Sequence, residues 1–234
     1  MQIIEIIPRY CCAQDSGSSG YVAGILARNF DGPTKVRLKT PPPLQSSLEI
    51  QTLSGRTELF SQKQLIATAE LTEMESPPLP PPTVIDASQA RQDFLNGTTH
   101  PQPDCFVCGI NRKPGDGLNI FTGQTLNTRG DAIVASDWRP SRDLLDVLGF
   151  VQPEFIWAAL DCPGYFGLNL EPERLCFLSE ISAVILKDVP GDQLLMVYGW
   201  KRGHEDRQFY AGSAIADAEG TIYAHSEQTW VVLE

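Results

Sequence analysis

The chain is short of positive charge. Its 18 Lys and Arg face 29 Asp and Glu over 234 residues, a formal net charge of −11. Nucleic acid is thereby excluded as an expected partner, because a phosphate backbone is met by a basic face. An anionic ligand would need a local cluster of cations, since the overall field repels it. Long apolar runs are missing too: nothing approaches the roughly eighteen consecutive apolar residues that span a bilayer, so no membrane partner is expected. The first ten residues, Met-Gln-Ile-Ile-Glu-Ile-Ile-Pro-Arg-Tyr, lack the basic start and small-residue cleavage site of a signal peptide. Six cysteines without such a signal point to reduced thiols and a cytoplasmic setting. Cys11 and Cys12 are adjacent, which suits a pairwise disulfide framework poorly.

What is present reads as one module written twice. Residues 35–71 open on Lys-Val-Arg-Leu-Lys-Thr-Pro-Pro-Pro-Leu and close on Gln-Leu-Ile-Ala-Thr-Ala-Glu. Residues 183–218 open on Ala-Val-Ile-Leu-Lys-Asp-Val-Pro-Gly-Asp and close on Ser-Ala-Ile-Ala-Asp-Ala. A helix candidate rich in small residues precedes each block, Ser19–Phe30 and Pro153–Cys162, the second interrupted by Pro163-Gly164. Between them Glu-Ser-Pro-Pro-Leu-Pro-Pro-Pro, from Glu75, is too stiff for a helix or a sheet interior. Residues 1–74 and 104–234 are expected as two units, with 75–103 as a proline-rich joint that holds a short helix over Ser88–Leu95. Strands are expected at Met1–Pro8, Thr34–Thr40, Ser47–Leu53, Arg56–Ser61 and Gln64–Leu71 in the first unit. The second unit offers Gly117–Leu126, Asp131–Trp138, Leu175–Val189, Gln193–Arg202, Gln208–Asp217 and Thr221–Leu233. One helix followed by antiparallel strands, twice, is an α+β plan.

Within that plan Asp161 stands out, a carboxylate in the apolar run Trp-Ala-Ala-Leu-Asp-Cys-Pro-Gly. Burial disfavours its charge, raises its pKa and makes it a stronger base. The plainer alternative is a helix cap before Pro163. Gln228, in the final strand, carries an amide that both donates and accepts and so can orient a water. Gly17-Ser-Ser-Gly20 leads into the first helix, whose N-terminal N–H groups can meet a developing negative charge across the interface.

The layout, with Phe155-Ile-Trp-Ala-Ala-Leu-Asp161 and the stretch from Gly212 to Gln228-Thr-Trp-Val-Val, resembles the hotdog fold, in which a curved antiparallel sheet wraps one helix. More narrowly it resembles tandem hotdog acyl-CoA thioesterases of the bacterial thioesterase II type. A second hotdog thioesterase branch is similar at Cys105-Phe-Val-Cys-Gly109 and Gly115-Asp-Gly-Leu118. The resemblance implies a double hotdog of two antiparallel sheets, each wrapping a central helix, and hydrolysis of an acyl thioester between the units. In that family an Asp on the second unit's helix works with a hydroxyl residue on the next strand and a Gln on the last. Carried over, these are Asp161, Ser179 (with Ser182 as the alternative) and Gln228. The family has Thr where Ser179 stands, and Pro163 after the Asp is a further departure. Lys187, Lys201, Arg202 and Arg207 are the candidates for coenzyme A phosphates, and Gly20 for a backbone donor to the ligand. Coenzyme A would arrive as part of the substrate, a small-molecule acyl thioester, so no separate cofactor is expected. Exposed sheet edges imply a homo-oligomer.

Cys105-x-x-Cys108, with His100 upstream, invites a zinc ion. A structural zinc needs four ligands, and Cys162 and Cys176 add no paired spacing, so no metal is expected. A hotdog hydratase would need an Asp five residues before a His. Leu95, Gly199 and Gly220 precede His100, His204 and His225 at that spacing. The competing function is a hotdog protein that holds an acyl ligand without turning it over.

Overall fold

In the computed structural model, residues 2–13, 15–97, 100–170 and 175–233 are described. Met1, Gln14, Thr98 and Thr99, which fall in the expected first strand, first loop and joint, lie outside them. The first half runs β1 (Gln2–Ile4), β2 (Cys11–Ala13), β3 (Ser16–Gly17), α1 (Ser19–Ala27), β4 (Thr34–Leu38), β5 (Leu48–Leu53), β6 (Arg56–Ser61) and β7 (Gln64–Leu71). The joint carries α2 (Val84–Gly97). The second half runs β8 (Gly123–Leu126), β9 (Ala132–Trp138), α3 (Pro153–Gly167), β10 (Cys176–Ile185), β11 (Leu195–Glu205), β12 (Gln208–Ala216) and β13 (Ile222–Val232).

The expected pair of sheets is one sheet of eleven strands, ordered β1-β5-β6-β7-β4-β10-β13-β12-β11-β9-β8, with β2 and β3 paired apart from it. Its centre is the β4–β10 seam, where Val36 faces Ile181 and Arg37 faces Glu180. Each half alone would leave that strand as an open edge, and pairing the two removes both edges. Glu180 ties the seam through Lys35 at 3.2 Å and Arg37 at 2.8 Å. From the seam outward the order 4-7-6-5 mirrors 10-13-12-11, so the duplication read in the sequence is a property of the sheet. The match is shifted, however: β7 corresponds to β13, not to the Ser213–Ala218 stretch.

Both α1 and α3 lie on one face, sharing a core with alternate strand residues such as Val36, Leu59, Ile181 and Val197. Against the other face α2 sets Ala87, Ala90 and Phe94, a helical stripe, with Ala87 packed among Ile133, Met196, Tyr198 and Trp200. The Tyr198 hydroxyl donates to the Leu79 carbonyl at 2.7 Å, which seats the proline segment on the sheet.

Helix α3 does not stop at Pro163 but runs on to Gly167. Proline removes the N–H that would bond the carbonyl four residues back and crowds the preceding turn. The sheet grips the helix at the next carbonyl. The Leu160 carbonyl accepts from the Ser213 hydroxyl and the Gln228 amide, each at 2.6 Å. Gly164 leaves the room that the Gln228 side chain occupies. Among the described residues no helix is long and apolar enough to cross a membrane.

Candidate functional site

The site is built where α1 meets α3. A Cβ on Gly20 would sit 2.6 Å from the Trp157 carbonyl oxygen and 2.7 Å from Asp161 Cβ, and one on Gly24 would sit 2.5 Å from Glu154 Cα. The two helices therefore cross antiparallel with their backbones in near contact, which only glycine permits. Ser18 opens α1, accepting the Tyr21 N–H at its hydroxyl, and its own N–H is pinned to the Tyr10 carbonyl at 2.7 Å.

That close approach lets the Gly20 N–H donate to Asp161 Oδ2 at 2.8 Å. Asp161 is only 4% exposed. Burial pushes its carboxyl up to about 7; the Gly20 N–H works against the rise and the nearby Cys105 adds to it. A carboxyl in that range suits proton transfer at neutral pH.

Asp161 lines a cavity of ≈ 390 Å³ at the junction of the halves. The first half supplies Cys12, Gly17, Ser19, Pro41 and Pro43; α3 supplies Asp161, Cys162, Tyr165 and Phe166; the start of β10 and the end of β13 supply Phe177, Leu178 and Trp230. The wall is closed by His100, Cys105 and Cys108 from the segment before β8. His100 Nδ1 accepts the Gln102 N–H at 2.9 Å, which assigns the proton of the neutral ring to Nε2. That Nε2 is buried and has no partner. Burial lowers the His100 pKa, partly offset by Cys105, so the ring is a neutral donor.

Five of the six cysteines border this cavity. The sulfurs of Cys105, Cys108 and Cys162 lie within 4.8 Å of one another, and the Cys105–Cys162 pair is 3.7 Å apart. Hydrogen bonds from the Cys108, Cys12 and Cys162 thiols, and from the Cys108 N–H, hold Cys105 well below the usual thiol range. The Cys162 thiol is pushed well above it, first by its bonds to Cys105 and Cys108 and then by burial. Chain spacing concealed this cluster: Cys162 reaches Cys105 only because α3 carries it there.

Of the residues assigned from sequence, Asp161 and Gly20 meet directly. The others do not join them. Gln228 is buried, but its amide nitrogen reaches Leu160 O, Ser213 Oγ at 3.2 Å and Ser226 Oγ at 2.9 Å, while its oxygen accepts from Trp230 Nε1 at 2.8 Å. Both ends of its amide are thus engaged by protein groups. Ser179 donates to the Thr229 carbonyl at 3.0 Å, and neither Ser179 nor Gln228 borders the cavity. Ser182 lies beside Gln228 at a separate polar hollow.

The cations are also elsewhere. Lys187 is exposed past the end of β10, and Lys201 rests over the Phe209 ring at 5.9 Å. Arg202 is held by Glu75 at 3.1 Å and Glu227 at 3.3 Å, and Arg207 sits in the β11–β12 turn. No Lys or Arg lines the cavity among the described residues. Sequence reasoning did not place His100 on the cavity wall; the Cys105-x-x-Cys108 motif was the signal that marked its neighbourhood.

No family model and no curated protein matches the chain. Solved structures do. A Thermobifida fusca protein assigned as a thioesterase II superposes with a TM-score of 0.65 at 16% identity, over 99% of this chain and 93% of that one. An Alicyclobacillus acidocaldarius protein of unknown function with a hot dog fold gives 0.59 at 13%, over 99% and 92%. An acyl-CoA thioesterase II from Mycobacterium marinum gives 0.55 at 12%, over 93% and 90%. The chain has the hotdog fold. Its helix crossing and cavity thus sit where two hotdog halves meet, and the likeness, at such low identity, is one of architecture.

Proposed function

We propose that the protein hydrolyses an acyl thioester, with the acyl group held in the cavity beside Asp161. One observation carries the reading: a buried carboxyl, fixed by the N–H of a helix from the other half, facing a largely apolar cavity. Its ≈ 390 Å³ lies in the range of about 300–1,000 Å³ usual for small-molecule sites. Asp161 takes a proton from water as the water oxygen adds to the acyl carbon. The C–S bond then breaks, and the departing thiolate leaves with that proton. Gln228 contributes by holding α3 at Leu160, not by handling water.

With no cation on the described cavity wall, the acyl portion of an acyl-CoA belongs inside and the nucleotide outside. The reading includes a cytoplasmic setting, which keeps the thiols reduced, and self-association, which light scattering tests. The decisive assay incubates the protein with a panel of acyl-CoAs and measures released acid by chromatography. Turnover that Asp161→Asn removes supports the reading; turnover unaffected by that change sinks it.

A second reading is binding without turnover. It draws on the Gly20 N–H and the Gln228 amide both being engaged by protein groups. A thermal shift with acyl-CoA and no released acid from any panel member would favour it.

A further inference from the structure

We propose that Cys105, Cys108 and Cys162 bind one zinc ion as thiolates, with its fourth position turned to the cavity that all three line. The geometry is already close to what the ion requires. A Zn–S length of about 2.3 Å places tetrahedral sulfurs about 3.8 Å apart. The Cys105 and Cys162 sulfurs are 3.7 Å apart, and no pair in the triangle exceeds 4.8 Å. Cys105-x-x-Cys108 forms a tight knuckle: the Gly109 N–H donates to the Cys105 carbonyl at 2.9 Å, and a Cβ on Gly109 would lie 2.6 Å from the Cys105 nitrogen. The third sulfur comes from α3, so the ion would fasten the loop before β8 to the helix that carries Asp161.

Three sulfurs and an open position match the plan of zinc sites that keep an exchangeable ligand, and soft thiolates favour zinc over magnesium or calcium. The chain supplies no fourth donor within the triangle's spacing among the described residues. Cys12, which hydrogen-bonds to Cys105, and Cys176 border the same cavity outside the triangle. This inference is independent of thioester hydrolysis and is read without any assay of activity.

The full chain, produced in zinc-supplemented medium and purified under reducing conditions without chelator, should carry one zinc per chain by elemental mass spectrometry. Cobalt replacing the zinc should give intense tetrahedral ligand-field bands and thiolate-to-cobalt charge transfer. Cys105→Ser and Cys162→Ser should each weaken affinity at least about tenfold in competition with a chromophoric chelator, while Cys176→Ser keeps it. Zinc well below one per chain together with octahedral cobalt spectra of the parent protein would overturn the proposal, whatever the variants do. So would an intact mass two hydrogen atoms light, mapping to a Cys105–Cys162 disulfide, in folded protein prepared with excess zinc and reductant.

Discussion

The crossing of α1 and α3 has two ends, and the duplicated fold makes them equivalent positions with different contents. Counted from the helix caps Ser18 and Gln152, Gly20 and Glu154 occupy the same place. Asp161 likewise corresponds to Ala27 on that count. At the first end a bare backbone N–H meets a carboxyl beside a cavity. At the second, the Glu154 side chain fills the space and is met by Arg28 in an ion pair. Ala27 stands where a second carboxyl would be, and it is buried. A buried carboxyl without an ion pair therefore needs two permissions from the sequence: a glycine opposite, so that an N–H is reachable, and no charged neighbour to neutralise it. One end has both.

The largest expected effect is at Asp161. Asp161→Asn keeps the shape and the Gly20 contact but removes the base, and kcat/KM should fall by about 10²–10⁴-fold with the thermal transition nearly unchanged. Should the variant keep its turnover, the two ends would be functionally alike and the comparison would break.

The glycines come next. Gly20→Ala and Gly24→Ala each force the helices apart, and overpacking of this kind costs about 1–3 kcal/mol, measured by chemical unfolding. They should separate by activity. Gly20→Ala also displaces the N–H that fixes Asp161, so its residual turnover should be lower than that of Gly24→Ala at equal folded fraction. Equal turnover in the two would show that the N–H does not matter to the carboxyl.

Gln228→Leu sharpens the contrast between the residue's two assignments. It takes one of two donors from Leu160 O and leaves Trp230 Nε1 without its buried acceptor, an orphaned group that costs about 1–3 kcal/mol. A large fall in stability, with KM for acyl-CoA held in whatever stays folded, is the expected pattern. A loss of kcat at undiminished stability would restore Gln228 to the chemistry.

Much of this was legible in the residues. Alternation and turn chemistry placed β6 and β7 at their observed bounds, and the small residues before each block marked both helices. The apolar run around Asp161 announced a buried carboxyl. What escaped was set by partners distant in the chain. Pro163 reads as a helix stop, yet α3 continues where Ser213 and Gln228 hold the Leu160 carbonyl, contacts across 53 and 68 residues. Gln228 reads as a free amide for the same reason. The two sheets became one because β4 and β10 each needed a partner, and no local pattern states which strand will supply it. The thiol triangle is likewise invisible to spacing, since 57 residues separate Cys105 from Cys162.

The smallest effect on turnover should be at the closed end. Arg28 has 44% of its side chain exposed, so Arg28→Ala gives up a pair whose contribution is screened on one side, while Glu154 remains 7% exposed. Stability should drop by about 1–3 kcal/mol, the cost of leaving a buried carboxylate without its partner, and turnover should stay at the parent level. Glu154→Gln tests the same point from the buried side, keeping shape while removing charge, and one Glu154 oxygen already lacks a partner. If either variant lowered turnover as far as Asp161→Asn does, the ion pair would belong to the reacting site and not to a plugged copy of it. If both leave turnover intact, the asymmetry between the ends is chemical: the scaffold was doubled, and one crossing was kept open for a ligand while the other was filled with charge.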